Sequence, residues 1–252
     1  MLRPSLSGDV VHHTRDRVGP IMVIDYRRHR VLTFDSVFEQ SKIDRQRPWL
    51  PVHEYNRAML LPVAWHRPSR AVVLGVGGGT LVGALHHLLP ECEIHGVDLR
   101  REVVRVAQDY FSLPQTGRVH MTIAEARQAL ADMPEGSADL IMADLYGADR
   151  MSPAQSRRHF IDLCHRTLSD QGWLAVNYHR PPDPDGRLFR QLRQQFGTLF
   201  CYTSKTNNTV LLAARQRVPL LSPTDPVLND LEQVLPIAWR KLMARLASQS
   251  AN

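Results

Sequence analysis

Three observations predict an α/β fold, a mainly parallel sheet with helices on both faces. Residues 71–74 form an apolar run of strand length that enters a glycine cluster, Gly75, Gly77, Gly78 and Gly79. Residues 80–89 then change to helical spacing, with Leu81, Ala84, Leu85 and Leu88 on one face. A second strand, 93–97, ends on an acid, Asp98. Strand, glycine turn, helix, strand and carboxylate make the first βαβ unit of a nucleotide-binding sheet.

The elements before this unit are of another kind. Residues 1–19 show no clear period and are expected to be loose. Residues 21–26 and 30–34 are β-rich and separated by Arg27-Arg28-His29, which predicts a hairpin. Residues 37–47 are mixed, and Pro48 and Pro51 follow them. Residues 52–65 have helical spacing through Tyr55, Met59, Leu60 and Val63. The expected organisation is an N-terminal β-hairpin region over 1–50, a Rossmann-type nucleoside-binding domain over 51–220 and a helical tail over 221–252.

Downstream of Asp98, residues 100–111 form a helix lined by Val103, Val104, Ala107 and Phe111. A third strand, 118–123, leads to Glu125, and a fourth, 138–143, leads to Asp144. A helix is expected over 152–168, with Pro153 in its first turn. A fifth strand follows over 171–177, then a helix over 186–196. Two strands flank Asn207-Asn208 as a hairpin-type ending. An amphipathic helix is expected over 227–246. The sheet should have seven strands.

Composition narrows the function. The 43% hydrophobic content suffices for a core. No apolar stretch reaches the roughly 18 residues of a membrane span, and the N-terminal residues lack the apolar segment of a secretory signal. Cys92, Cys164 and Cys201 are odd in number and make no CxxC pair, so a reduced, cytoplasmic chain without bound metal is expected. The net charge of +6 is uneven: residues 1–70 carry net +5, 71–150 net −5, and 151–252 net +6. The arginines of the first segment, Arg27, Arg28, Arg30, Arg45 and Arg47, are scattered without aromatic interleaving, which favours a solvated surface over a nucleic-acid platform.

Chemistry concentrates in the acidic middle. Asp98, Glu125 and Asp144 close three successive strands, and acids at strand carboxyl ends collect in the crevice where such sheets bind ligands. Each acid taken alone reads better as a helix N-cap; three in series behind a glycine loop favour a site. Glycines 75 and 77 fill the first two places of a dinucleotide G-x-G-x-x-G, but Thr80 stands at the third. The run L-G-x-G-G-G-T looks more like the S-adenosylmethionine loop of class I methyltransferase folds. A tight turn in a ligand-free domain is the bland alternative.

Several stretches together resemble the polyamine aminopropyltransferases, or spermidine synthases: FDSVFEQS, HEYNRAML, LGVGGGTL, HGVDLRREVV, AEAR, ADLIMADLYG and GWLAVN, across roughly residues 20–215. The resemblance implies an S-adenosylmethionine-derived co-substrate, in the decarboxylated form, an amine acceptor and a homodimer. It implies that Asp98 holds the ribose, Glu125 the adenine amino group, and Gln40 the nucleoside. Tyr55 would line the amine site, and Asp144 would take the acceptor's proton. The sequence departs from the family at two acids: Thr80 replaces the aspartate of G-G-G-D-G, and Gly147 replaces the second aspartate of D-S-x-D-P, with Asp149 two residues on. An S-adenosylmethionine-dependent methyltransferase and a catalytically silent nucleoside-binding homologue are the other readings.

Overall fold

The structure, a computed structural model, describes residues 8–34, 39–145, 158–179 and 181–249. The expected hairpin is the centre of a larger unit. Strands β1 (Asp9–Arg15), β2 (Pro20–Asp25), β3 (His29–Thr33) and β4 (Glu39–Asp44) form a four-stranded antiparallel sheet in chain order. β1 falls in the segment expected to be loose. Its alternation is broken by a register shift between Val10 and His12, and as an exposed edge it needs no apolar face. β4 reads as polar because Ile43 joins the core while its other buried residues, Ser41 and Asp44, face hydrogen-bond partners. The Ile21, Val23, Leu32, Phe34 and Ile43 side chains of this unit pack on Val103, Val106 and Phe111.

Helix α1 (Glu54–Met59) and a 3₁₀ turn (Leu61–Ala64) occupy the segment expected as one helix. Pro62 cannot donate a backbone hydrogen bond and its ring crowds the preceding turn, so the helix closes before it and rewinds tightly. The second sheet follows: β5 (Arg70–Leu74), α2 (Thr80–Leu88), β6 (Glu93–Asp98), α3 (Arg101–Tyr110), β7 (Val119–Ile123), α4 (Ala126–Asp132), β8 (Ala138–Ala143), α5 (Arg158–Thr167), β9 (Leu168–Tyr178), α6 (Arg187–Gln195), β10 (Thr198–Thr203) and β11 (Thr209–Ala214). After these come α7 (Val227–Val234), α8 (Trp239–Met243) and β12 (Ala247–Ser248).

The strand order is β12-β10-β11-β9-β8-β5-β6-β7, parallel from β9 to β7 and antiparallel beyond. Helices cover both faces, so β8 is buried along its whole length and reads as apolar apart from Asp139, whose carboxylate accepts from Ser69 and Ser169. One core lies under α1, α2, α7 and α8, and the other under α4, α5 and α6. The eighth strand was unexpected. The anticipated tail helix is interrupted by Pro236 and by Ala238 at φ +65°, where the Glu232 carboxylate accepts from the Ala238 and Trp239 amides at 3.1 and 2.8 Å. The tail then ends as β12 on β10.

Arg100 fastens the two sheets. It is 8% exposed, its guanidinium forks onto Asp16 with two 2.9 Å bonds, and it donates a third to the Gly19 carbonyl. Its plane lies over the Phe34 ring at 4.4 Å. Among the described residues no helix is long and apolar enough to cross a membrane.

Candidate nucleoside and acceptor site

The site is set by topology. β5 pairs with β6 on one side and with β8 on the other, so the chain reverses direction of winding at its carboxyl end. The glycine loop after β5, Asp98 after β6 and Asp144 after β8 therefore meet there. The Asp144 amide donates to the Leu74 carbonyl at 2.9 Å, and the Gly75 amide to the Val97 carbonyl at 2.9 Å. Gly75 has φ +84°, and a Cβ on it would run into the Asp144 carbonyl oxygen. Any side chain here would part β5 from β8 at the mouth of the crevice. Gly77 and Gly79 also have positive φ, at +52° and +78°.

Asp98 clamps this loop from below. One of its oxygens accepts from the Val76 and Gly77 amides at 3.0 and 3.2 Å, and the other from the Arg100 amide at 2.9 Å. A carboxylate offers about four acceptor positions, so one remains for a ligand hydroxyl. Burial holds the Asp98 carboxyl above its ordinary pKa, against three amides that favour the charged form.

The N-terminal sheet covers the loop from the other side. The buried Gly78 amide donates to Ser41 Oγ at 2.8 Å, and a Cβ on Gly78 would lie 2.8 Å from the Ser41 Cβ. Gln40 precedes Ser41 and is the extra residue of a bulge, since Leu32 pairs with Ser41 and Thr33 with Glu39. Bulges re-aim side chains near binding sites. Thr80 opens α2, is 5% exposed, and its hydroxyl has no hydrogen-bond partner.

Glu125 is engaged elsewhere. Its carboxylate caps α4, accepting from the Arg127 and Gln128 amides at 3.0 and 3.3 Å, and its other oxygen meets Arg127 Nε at 3.2 Å. It follows β7, two strands from β5. Thus the structure brings Asp98, Asp144, the glycines and β4 together, and sets Glu125 at the rim.

Asp144 lies at the centre. The residue keeps partial exposure, but protein surrounds its carboxyl, and Asn177 Nδ2 donates to it at 2.8 Å. Burial raises its pKa to about 6, with the Asn177 bond opposing the rise. Asn177 is 1% exposed and in turn accepts from Asn208 Nδ2 at 3.1 Å. Asn208 is held in the β10–β11 turn through its amide on Ser204 Oγ at 3.1 Å. Tyr146, Gly147 and Asp149 lie outside the described residues.

Tyr55 sits on α1, half-buried, with its ring stacked on His53 at 5.5 Å between centroids. The His53 Nε2 has no hydrogen-bond partner and stands 3.9 Å from Glu39 of β4. Burial, its main cause, lowers the His53 pKa, so the ring is neutral at neutral pH. Ser41, His53 and Asn177 were not singled out in the sequence, although all three lie inside or beside the stretches that carry the resemblance.

A glycine loop at a topological switch point, clamped by an acid on the next strand, defines the class I methyltransferase-like Rossmann fold, and residues 71–172 match the family model described as methyltransferase domain. Beyond that class, relatives named polyamine aminopropyltransferase match at 22–27% identity over most of the chain. The one from Chromobacterium violaceum is 27% identical over 84% of this chain and 85% of its own. A crystal structure of a probable spermidine synthase from Corynebacterium glutamicum superposes with a TM-score of 0.75 at 17% identity, covering 89% of this chain and 86% of that one. Human methyltransferase-like protein 13 in complex with SAH superposes at 0.60 and 23% identity, covering 74% and 92%. The expected similarity to aminopropyltransferases therefore holds, and the fold is spermidine synthase-like.

Proposed function

We propose that this protein is a transferase that holds a sulfonium nucleoside derived from S-adenosylmethionine at the glycine loop and passes an aminopropyl group to an amine. The observation that carries the proposal is Asp144, a carboxylate buried at the switch point and held by Asn177 Nδ2 at 2.8 Å, where burial raises its pKa to about 6. An ammonium is not a nucleophile. Asp144 accepts its proton, and Asn177 fixes the carboxylate that receives it. The freed nitrogen bonds to the sulfonium-bound carbon as the carbon–sulfur bond breaks and its electron pair leaves on sulfur. The co-substrate supplies its own electrophile, so the protein's remaining task is alignment.

The residues fit such a nucleoside. Loop glycines admit close approach, Asp98 retains an acceptor position for a ribose hydroxyl, Gln40 is presented by a bulge, and the Thr80 hydroxyl is buried without a partner. Glu125 reaches the adenine amino group by releasing the Arg127 side chain from one oxygen. Tyr55 lines the acceptor side beside His53. Residues 221–249 pack on the same core as the Rossmann-type sheet, and the working form is a homodimer.

Thr80 supports a second reading, methyl transfer. An acid beside the sulfonium arm repels the carboxylate of intact S-adenosylmethionine, whereas threonine does not. Calorimetry separates the two readings. Decarboxylated S-adenosylmethionine should bind at least as tightly as the intact form, and product analysis with an amine should yield methylthioadenosine. Tighter binding of the intact form, with S-adenosylhomocysteine as product, would turn the assignment to a methyltransferase. Asp98→Ala should weaken methylthioadenosine by about 1.5–3 kcal/mol; unchanged affinity removes the ribose assignment.

A further inference from the structure

Away from the glycine loop, the turn between β2 and β3 and the chain just after β4 enclose a second concavity. It is an open pocket of about 610 Å³ lined by Arg27, Arg28, Arg45 and Gln46. All four lining residues are exposed, so the concavity faces solvent. The arginines scattered in sequence are brought together because β2, β3 and β4 are neighbours, and the Arg45 amide donates to the Arg28 carbonyl at 3.0 Å.

Two of the guanidiniums have a carboxylate partner. Arg28 Nε and Nη2 both reach Asp44 Oδ2 at 2.9 Å, and the Asp44 side chain is only 7% exposed. Arg45 Nη2 lies 3.5 Å from Asp25 Oδ2. Asp25 is already paired by the fork of Arg30, at 2.6 and 2.8 Å. Arg27 has no hydrogen-bond or ion-pair partner among the described residues. With Asp44 balancing one of the three lining arginines and Arg30 balancing Asp25, two positive charges remain, and no carboxylate is among the lining residues. Guanidiniums around a concavity match phosphate oxygens, because the planar fork donates two parallel hydrogen bonds to them. Gln46 adds a neutral donor and acceptor at the same wall.

We propose that this pocket binds a phosphorylated small molecule through its phosphoryl oxygens, with one site per chain, independent of the nucleoside crevice. The chemistry selects a ligand with at least two adjacent phosphoryl groups, since two unbalanced guanidiniums can each take one.

Titration calorimetry of the full chain with tripolyphosphate tests this. The expected result is saturable binding at one per chain, weakened about tenfold in Arg27→Ala and lost in Arg27→Glu, with melting temperatures unchanged because Arg27 has no partner to lose among the described residues. Arg217→Ala, an exposed arginine elsewhere, removes the same charge and should leave binding intact. Equal weakening by Arg217→Ala would show a diffuse charge effect and overturn the proposal. So would full-strength binding in Arg27→Glu, or binding of single-stranded RNA with no saturable tripolyphosphate site.

Discussion

Asp139 and Asp144 stand at opposite ends of β8 and show how one residue type takes two roles. Burial pushes up the Asp139 carboxyl, but the hydroxyls of Ser69 and Ser169 and the amides of Arg70 and Ser69 outweigh it, and the pKa falls below the ordinary carboxylate value. Asp144 accepts from the Asn177 side-chain amide, burial wins, and its pKa rises to about 6. A folded-state pKa above the unfolded value means that the fold takes up a proton between roughly pH 4 and 6. The protonated form stabilises the fold below that window, and the contribution is lost as pH rises through 6. The full penalty for the charged form is about 3 kcal/mol, at about 1.4 kcal/mol per unit. Asp144→Asn should therefore raise the melting temperature at roughly pH 8 and change it little near pH 4, while lowering turnover about 10²–10⁴-fold. A variant that is destabilised at the higher pH contradicts the buried-charge account.

Asn177 gives a finer test at the same scale. Its hydrogen bond favours the charged carboxylate, so Asn177→Ala should move the acidic limb of the kcat/KM profile upward from about pH 6. A merely structural role for Asn177 would lower activity at all pH values and leave the limb in place.

Between elements, the junction of the two sheets depends on Arg100. Its fork holds the Asp16 carboxyl below the usual carboxylate value, the Arg100 hydrogen bond being the largest cause. The contribution is present above the unfolded pKa and is lost as pH falls through the lower folded one. Arg100→Met keeps the packing over Phe34 but removes three hydrogen bonds, so urea unfolding at neutral pH should show a loss of about 1.5–3 kcal/mol. The loss should shrink in acid as Asp16 becomes protonated. Because Asp98 also accepts from the Arg100 amide, the helix that braces the N-terminal sheet starts beside the proposed ribose position. Loosening one side is then expected to loosen the other.

For the whole molecule, β1 is the open edge of the N-terminal sheet and carries Val10 and Val11 at 58% and 41% exposure; Val18 follows at 63%. An uncovered edge strand that carries exposed valines is a ready surface for pairing with a copy of itself. Sedimentation at micromolar concentration should give about twice the 28.7 kDa of one chain, and Val10→Asp should shift it toward one. A monomer in both cases would refute the homodimer.

Much of this was legible in the residues themselves. The period change at residue 80, the glycine loop and the apolar 138–143 run specify a parallel sheet buried on both faces, since such patterns follow from local periodicity and burial. The acids at strand ends were legible as a series. Their separate fates were not. Glu125 caps its own helix and Asp98 clamps the loop, because only three-dimensional neighbours decide where a carboxylate's oxygens go. β1 and β4 escaped the pattern since one is an exposed, bulged edge and the other serves the glycine loop through Ser41. The Asp144 pKa and the gathering of Arg27, Arg28 and Arg45 arise from strand order, which joins residues far apart in the chain. Sequence thus determined the sheet, its loop and the chemistry available at its edge; tertiary structure decided which groups meet, because burial and hydrogen-bond partners depend on neighbours across the sheet.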